Sequence, residues 1–532
     1  MKRRLALAVL VVCLPGLLAV LLQRGARTEV EDALQARGLQ WGSYEGRVGG
    51  LTWRDLTGAG VSVATLDVVL APWPAVVASG VDLDLAAIDG PPAPAASPSE
   101  GAAPALTLAG LANAAVRVED LDLSWGGEPL LEDLGGPLRP RVSLDGPGGF
   151  VRQDADGSWS AQLQRDLELG PLSAAAELSL TCAGTASCDV VLQSEDATLE
   201  HPLLAPGPVG PAVLRVRGTV QPRAGTAEGS VRFGDLEALV RRSADGQVDL
   251  DARGNALEDV VSLFSPWIPE AAVARVTGTV GFQATLDPEE GRLVALTPSA
   301  EGLGAEGAIP NPMLLRRGEF TWRAPIEGGG WVPRTTGEGI AGWTPLDAAG
   351  LAPQAMIHAE DAAFSSHGGV HLPAIQDAVD AWIAAPESDL RGGSTITQQL
   401  AKNLFCDPLD RTLARKLREL VLSLDLERTL PKRRILELYL NIVELGPEIY
   451  GVSAAADAYF IKRPSRMTPT EAVFLAAILP SPRGGYARAA AGRLPRGRMA
   501  YILDNMVDGT ALTRAEADRA KAAPLRIVPI QR

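Results

Sequence analysis

No cysteine–histidine spacing in this 532-residue chain suggests a zinc site. Of its histidines, His367 and His371 are four apart. Gly368, Gly369 and Val370 lie between them and argue against the regular helix that a metal-binding pair would need. There is no basic excess: the net charge of −15 argues against nucleic acid as the main partner. No small residue precedes Cys13, which weakens a lipoprotein reading. No small-x-small cleavage site follows the apolar run Leu5–Leu22 either, since Leu21-Leu22-Gln23-Arg24 is a poor one.

What is present points to an envelope protein of several parts. The length gives room for about two or three domains, and 46% hydrophobic with 21% charged residues is ordinary for globular protein. Lys2, Arg3 and Arg4 precede the apolar run, which is long enough for a marginal membrane span with its N-terminal side in the cytoplasm. We expect residues 1–24 to be an uncleaved, single-pass anchor in the inner membrane. Everything after it then lies in the periplasm, where Cys182 and Cys188, which bracket a hairpin-like AGTAS, are able to pair. Charge is uneven. Residues 391–466 hold thirteen Lys/Arg against nine Asp/Glu, so +4, which leaves −19 for the remainder. A basic segment in an acidic chain suggests an anionic ligand, such as a pyrophosphate or a lipid headgroup surface.

Residues 25–335 read as β-rich. Thr28 and Glu31 form a capping box for a short helix ending at Gly38. Beyond Trp41, short alternating strands dominate, each followed by Gly, Asp or Pro. Residues 90–105, GPPAPAASPSEGAAPA, have nothing to bury and read as a disordered insertion. Residues 256–264 read as a helix broken at Pro266, and 276–296 as a hairpin closed by DPEEG. Residues 336–532 read as mainly helical. Leu413, Leu417, Leu420, Val421 and Leu424 make one helical stripe, and Leu436, Tyr439, Leu440 and Val443 another. Thr468-Pro469-Thr470-Glu471 is a capping box, and the segment behind it, apolar nearly all round, is either buried or at a membrane surface.

The chemistry concentrates in two stretches, AEDAAFSSHGG (359–369) and RGGSTITQQLAKNLF (391–405). In the second, Thr395 and Gln398 have capping-box spacing, and Ile396, Leu400 and Leu404 mark the buried stripe of the helix. Gln398, Gln399, Lys402 and Asn403 lie off that stripe. They form either a solvated polar face or a grip for phosphate and sugar oxygens, with Ser394 and Thr395 at the cap. In the first, Glu360 and Asp361 are adjacent like charges, which raises the pKa of one member and favours a base working near neutral pH. Glu419 follows Arg415 by four residues and Lys416 by three, so all three share one helix surface.

These stretches resemble the first two motifs of the peptidoglycan glycosyltransferases, family 51 of the glycosyltransferases. The match continues in order with Arg415–Glu419, with KRRILELYLNIVELG (432–446), and with GVSAAADAYFIK (451–462) followed by 467–482. It covers residues 336–490, and five ordered motifs make it specific. The resemblance implies an α-helical, lysozyme-like catalytic domain that polymerises lipid II with inversion at the anomeric carbon. It implies Glu360 as the base that deprotonates the acceptor 4-hydroxyl, and Glu419 as a second carboxylate near the pyrophosphate. It places Asp361, His367, Ser394, Thr395, Gln398, Gln399, Lys402, Asn403, Arg415, Lys416, Arg434, Glu437, Asn441 and Lys462 in substrate binding. No cofactor is required by it, though it leaves room for a divalent cation, magnesium or manganese, near the pyrophosphate. Implied partners are lipid II, the growing glycan strand, the inner membrane and other cell-wall synthesis proteins.

Two departures stand out. Many family members carry a penicillin-binding transpeptidase domain after the transferase, but no S-x-x-K, S-x-N and K-T-G set is visible here, so the chain is expected to polymerise without crosslinking. The β-rich region in front is not part of the usual monofunctional enzyme. It is similar to the AsmA-like proteins of bacterial envelopes, whose long curved sheets are associated with lipid handling; otherwise it is a spacer. Two rivals compete with the polymerase reading. One is a lytic enzyme of similar fold, disfavoured by the glutamine pair and Lys402. The other is a lipid-binding or assembly protein that only docks lipid II, disfavoured by the retention of both glutamates.

Overall fold

The computed structural model describes residues 40–153 in segments that are mostly strands. It describes 158–528 with breaks at 170, 184–186, 222–223, 288–291, 327–328, 386–391 and 408–409. The apolar run 5–22, the helix expected from Thr28 and the insertion 90–105 lie outside the described residues. Among the described residues no helix is long and apolar enough to cross a membrane.

The strands form two large sheets. The first has six strands between Ser43 and Leu131, antiparallel except where Ala75–Asp84 pairs in parallel with Ala115–Trp125. The second has twelve between Ser143 and Glu306 and runs largely as an antiparallel meander. Alternation in the sequence sets its two faces. In the strand Val209–Gln221, Leu214 and Val220 are buried while Arg215 and Arg217 are exposed. Cys182 and Cys188 sit opposite each other across a hairpin and are disulfide-bonded. The expected hairpin closes with Asp287 opposite Arg292, and its strands, Arg275–Asp287 and Arg292–Glu306, are longer than read. A short helix, Leu257–Leu263, packs on the sheet, and another, Pro312–Arg316, precedes the strand Glu319–Pro325 and packs on it.

After a two-stranded ribbon ending at Gly337, the chain is helical apart from a short strand pair, Glu444–Gly446 with Ile449–Tyr450. Its helices are α1 (Ala352–Glu360), α2 (Leu372–Ala384), α3 (Ile396–Phe405), α4 (Leu413–Thr429), α5 (Lys432–Ile442), α6 (Val452–Phe460), α7 (Pro469–Ile478), α8 (Pro482–Ala490), α9 (Arg496–Asp508) and α10 (Arg514–Ala522). The capping boxes at Thr395 and Thr468 form as the spacing predicts. Of the two environments open to α7, it takes the interior: Ala472 to Ile478 are all buried.

The sheet and the helices share one hydrophobic core, and α4 is where they lock together. The first N–H groups of a helix have no partner within it. Here Leu413 and Ala414 donate theirs to the carbonyls of Leu203 and Leu204 in the β region, at 2.8 and 2.9 Å. At the other end Arg316 donates twice to the Thr429 carbonyl, at 2.9 and 3.1 Å. Between them the Ile309 amide donates to Asp425, and Glu270 accepts three contacts from the Arg418 guanidinium, at 2.8 to 3.1 Å. The β region therefore caps both ends of α4 and grips its middle.

Candidate active site

Glu360 is the last residue of α1, and the chain turns sharply after it at Asp361. The turn sends the two carboxylates in different directions. Asp361 is buried, accepts the Ile396 amide at 2.9 Å, and so caps the start of α3. It also faces His367 Nε2 at 3.0 Å. The Gly369 amide donates to His367 Nδ1 at 3.1 Å, which leaves the ring proton on Nε2, aimed at Asp361. Gly369, at φ +102°, brings its carbonyl to the Thr395 hydroxyl at 2.7 Å. Asp361 and Thr395 thus stitch the first motif stretch to the second.

Glu360 faces the other way, into a polar pocket. Gln399 Nε2 donates to its Oε2 at 2.9 Å and Arg498 Nη2 to its Oε1 at 2.7 Å. The buried Tyr439 hydroxyl donates to Gln399 Oε1 at 3.0 Å. Burial raises the Glu360 carboxyl above its ordinary value, while Gln399, Arg498 and Lys402 pull it back. This corrects the cause expected from the sequence. The neighbouring Asp361 points away into α3, and desolvation does the raising.

The second carboxylate, Glu419, is buried on α4 and gripped by two cations of its own helix, Arg415 and Lys416, the latter at 2.7 Å. Lys416 also donates to the Ser394 hydroxyl at 3.0 Å. Burial, then the Arg415 and Lys402 charges, push the Lys416 ammonium down to about 7. Lys402 links the two halves of the site: its charge acts on both Glu360 and Lys416. Its own ammonium is pushed down by burial and then by Arg415 and Arg411. Among the described residues Lys402 makes no hydrogen bond or ion pair.

The remaining predicted residues divide. Asn403, one turn beyond Gln399, shares its side of α3. Gln398 is occupied by the capping box, where its Oε1 accepts the Thr395 amide at 3.0 Å. Arg434, Glu437, Asn441 and Lys462 are engaged elsewhere. Arg434 donates to the Leu315 carbonyl and to Glu338 and Glu437. Glu437 accepts the Leu346 amide, and Asn441 bonds Thr344 in both directions, at 2.7 and 2.9 Å. Lys462 pairs with Glu471 at the start of α7. These four tie the helical part together. Two residues absent from the sequence-based site belong to it. Tyr439 was legible only as an inward residue of α5. Arg498 lies past the last motif stretch, 138 residues from Glu360, with no local signal.

The donor set does not suit a resident divalent cation. Glu419 already sits between two cations, which repel a third. Among the described residues no group of three His, Cys, Asp or Glu is placed to hold a metal.

Residues 343–507 match the family model described as Transglycosylase. Among relatives, a biosynthetic peptidoglycan transglycosylase of Rhodopseudomonas palustris (strain TIE-1) is 44% identical over 151 residues, 28% of this chain and 63% of its own. One from Salmonella paratyphi B is 46% identical over 152 residues, 29% of this chain and 62% of its own. The match therefore spans under two thirds of these relatives. A solved structure, penicillin-binding protein 1A from Haemophilus influenzae, overlaps 18% of this chain and 14% of its own at 33% identity, with a TM-score of 0.17. That overlap is too small to bear on the fold. The whole of the site from Glu360 to Arg498 falls inside the matched span.

Proposed function

We propose that the chain, whose residues 343–507 match the Transglycosylase family model, polymerises lipid II into β-1,4 glycan strands by a single inverting displacement. Glu360 takes the proton of the acceptor 4-hydroxyl. The oxygen attacks the anomeric carbon of the donor as the bond to the diphosphate breaks, and polyprenyl diphosphate leaves with both electrons of that bond. Lys402, Arg415 and Lys416 offset the charge that builds on the leaving group. Glu419 holds the last two in place.

One observation carries the reading. A buried carboxylate, raised by desolvation and oriented by Gln399 and Arg498, shares a single site with a cluster of cations around a second carboxylate. A raised carboxylate is the better base near neutral pH. The cations match a diphosphate, which explains why so many of one sign converge. The reading also places the chain in the inner membrane with its catalytic part in the periplasm. The basic-then-apolar start of the sequence supports this, as does the Cys182–Cys188 disulfide, which belongs in an oxidising compartment.

The test is to supply the purified full chain with labelled lipid II and separate the products on a gel. We expect polymer from the native protein. Glu360→Gln should lose roughly 10²–10⁴-fold in rate while still binding lipid II. Native turnover in that variant would rule out the mechanism. The same preparation should give no covalent band with a fluorescent penicillin, because the serine motifs of a transpeptidase are not visible in the sequence; a labelled band would overturn that.

A further inference from the structure

Behind α4, the sheet and the helix do not close on each other. Leu413, Leu417 and Leu420 share one face of α4, and Arg415 and Glu419 point to the opposite one. With Leu204, Phe233 and Phe264 of the β region, these leucines wall a partly open cavity of about 200 Å³. The cavity thus lies on the face of the helix opposite Glu419, and it is not the donor's place in the proposed reaction.

The lock on α4 explains why the gap persists. A void normally shrinks as its walls settle inward, to the extent that they are free to move. Here the first turn is held by the Leu203 and Leu204 carbonyls, the middle by Glu270 and the last turn by Arg316. The helix is pinned at a fixed height above the sheet. The polar groups in the wall are also occupied: the Glu237 carboxylate accepts from Arg232 at 3.2 Å. Asn255 donates to the Glu237 and Ala252 carbonyls at 3.0 and 2.8 Å, and its Oδ1 accepts the Glu237 amide at 2.7 Å. Water needs two to four polar partners to stay in such a place. Apolar cavities of about 150 Å³ remain dry and take up apolar molecules. From Leu413 to Leu420 the wall runs about 10 Å along the helix.

We propose that this cavity is a binding site for a single hydrocarbon chain of a membrane lipid, with the polar head left outside. A chain suits an apolar slot that runs beside a helix and against a sheet. That its owner is a lipid rests on the reading that the enzyme works at a bilayer; the affinity for hydrocarbon does not.

The experiment uses delipidated full-length protein and a fluorescent polyene fatty acid as probe. Saturable binding is expected. Leu417→Trp and, as a gentler filling, Ala238→Leu should each weaken it, the first by about tenfold or more, because every methylene kept in water weakens binding. Circular dichroism checks that the variants fold; if the tryptophan variant does not, the leucine variant carries the comparison. Competition then identifies the source. Displacement by polyprenyl phosphate alone assigns the slot to a polyprenyl chain, and displacement by a lysophospholipid alone to an acyl chain. Displacement by both assigns it to hydrocarbon in general. No saturable binding, displacement by neither lipid, or equal affinity in folded variants would overturn the proposal. None of these readouts depends on glycan being made, so failure here is distinct from failure of the glycosyltransferase reading.

Discussion

The Tyr439 hydroxyl donates to Gln399 Oε1 while Gln399 Nε2 donates to Glu360, so the amide bridges the two. An amide is able to flip and offer its oxygen instead, and an oxygen against an ionised carboxylate is repulsive. With its oxygen engaged by Tyr439, Gln399 presents N–H to the base and stabilises the ionised form. Tyr439→Phe removes the latch and leaves the ring in place. The hydrogen bond is worth about 1 kcal/mol, so a severalfold fall in kcat is expected with KM little changed. An unchanged kcat in a lipid II polymerisation assay would show that the latch is idle.

Arg498 sets the acid side of the pH profile. The base works only when ionised, so activity is lost as pH falls through the Glu360 pKa. Burial raises that pKa and Arg498 opposes the rise. Arg498→Leu should therefore move the acid limb of kcat/KM to higher pH, whereas the Glu360→Gln variant should show no such limb. An acid limb that stays in place in the arginine variant would contradict the assignment. The same shift predicts a sign in stability. A carboxyl whose folded pKa is raised gives stability that is present below its unfolded value and lost as pH rises. Relative to Glu360→Gln, the native protein should therefore lose thermal stability as pH rises from acid to neutral.

Lys416 sets the alkaline side. It must carry its charge to meet a leaving diphosphate, and that charge is lost at lower pH than for an ordinary lysine, about 7. The alkaline limb of the free enzyme should accordingly lie well below the usual lysine range. Lys416→Arg keeps the charge across the whole interval and should carry activity to higher pH, at some expense in fit to Ser394 and Glu419. A limb that does not move in the arginine variant would assign it to another group.

What the sequence made legible was local. The capping boxes at Thr395 and Thr468 are patterns of four residues, and both form. The hairpin read at 276–296 announced itself by alternation and a turn, while the run of its second strand on to Glu306 did not. The cluster of Glu419 with Arg415 and Lys416 followed from helical spacing. What was not legible depends on distant partners. Helical spacing put Glu437 and Asn441 on α5, but whether they face Glu360 or the strand of chain entering at Thr344 is decided by what packs there. Asp361 looked like a second charge beside the base, and only the turn after α1 sends it to cap α3. Arg498 reaches Glu360 from far along the chain. The β region showed sheet texture in its sequence, and nothing local revealed that its residues would supply the caps of α4.

That last feature makes the β region part of the catalytic architecture, and Glu270 tests it. Glu270 and Arg418 are 9% and 23% exposed as side chains, so their contact is largely shielded from solvent. Arg418 sits next to Glu419 in the chain, on the helix that carries Arg415 and Lys416. Glu270→Ala leaves Arg418 half-buried without its carboxylate, which should destabilise the protein by about 1–3 kcal/mol. Because α4 keeps its end caps, the fold should survive, and the helix should be held less firmly at its middle. The expected kinetic signature is a higher KM for lipid II, or a lower kcat, with the acid limb from Glu360 unmoved, since Glu360 is held by α3 and α9 instead. Glu270→Gln, which still accepts from the guanidinium, should recover part of both losses. Denaturant unfolding and polymerisation rates on the three proteins decide the matter. Unchanged stability together with unchanged rates in Glu270→Ala would make the β region a bystander to α4. A loss of stability with rates intact would limit its role to holding the fold.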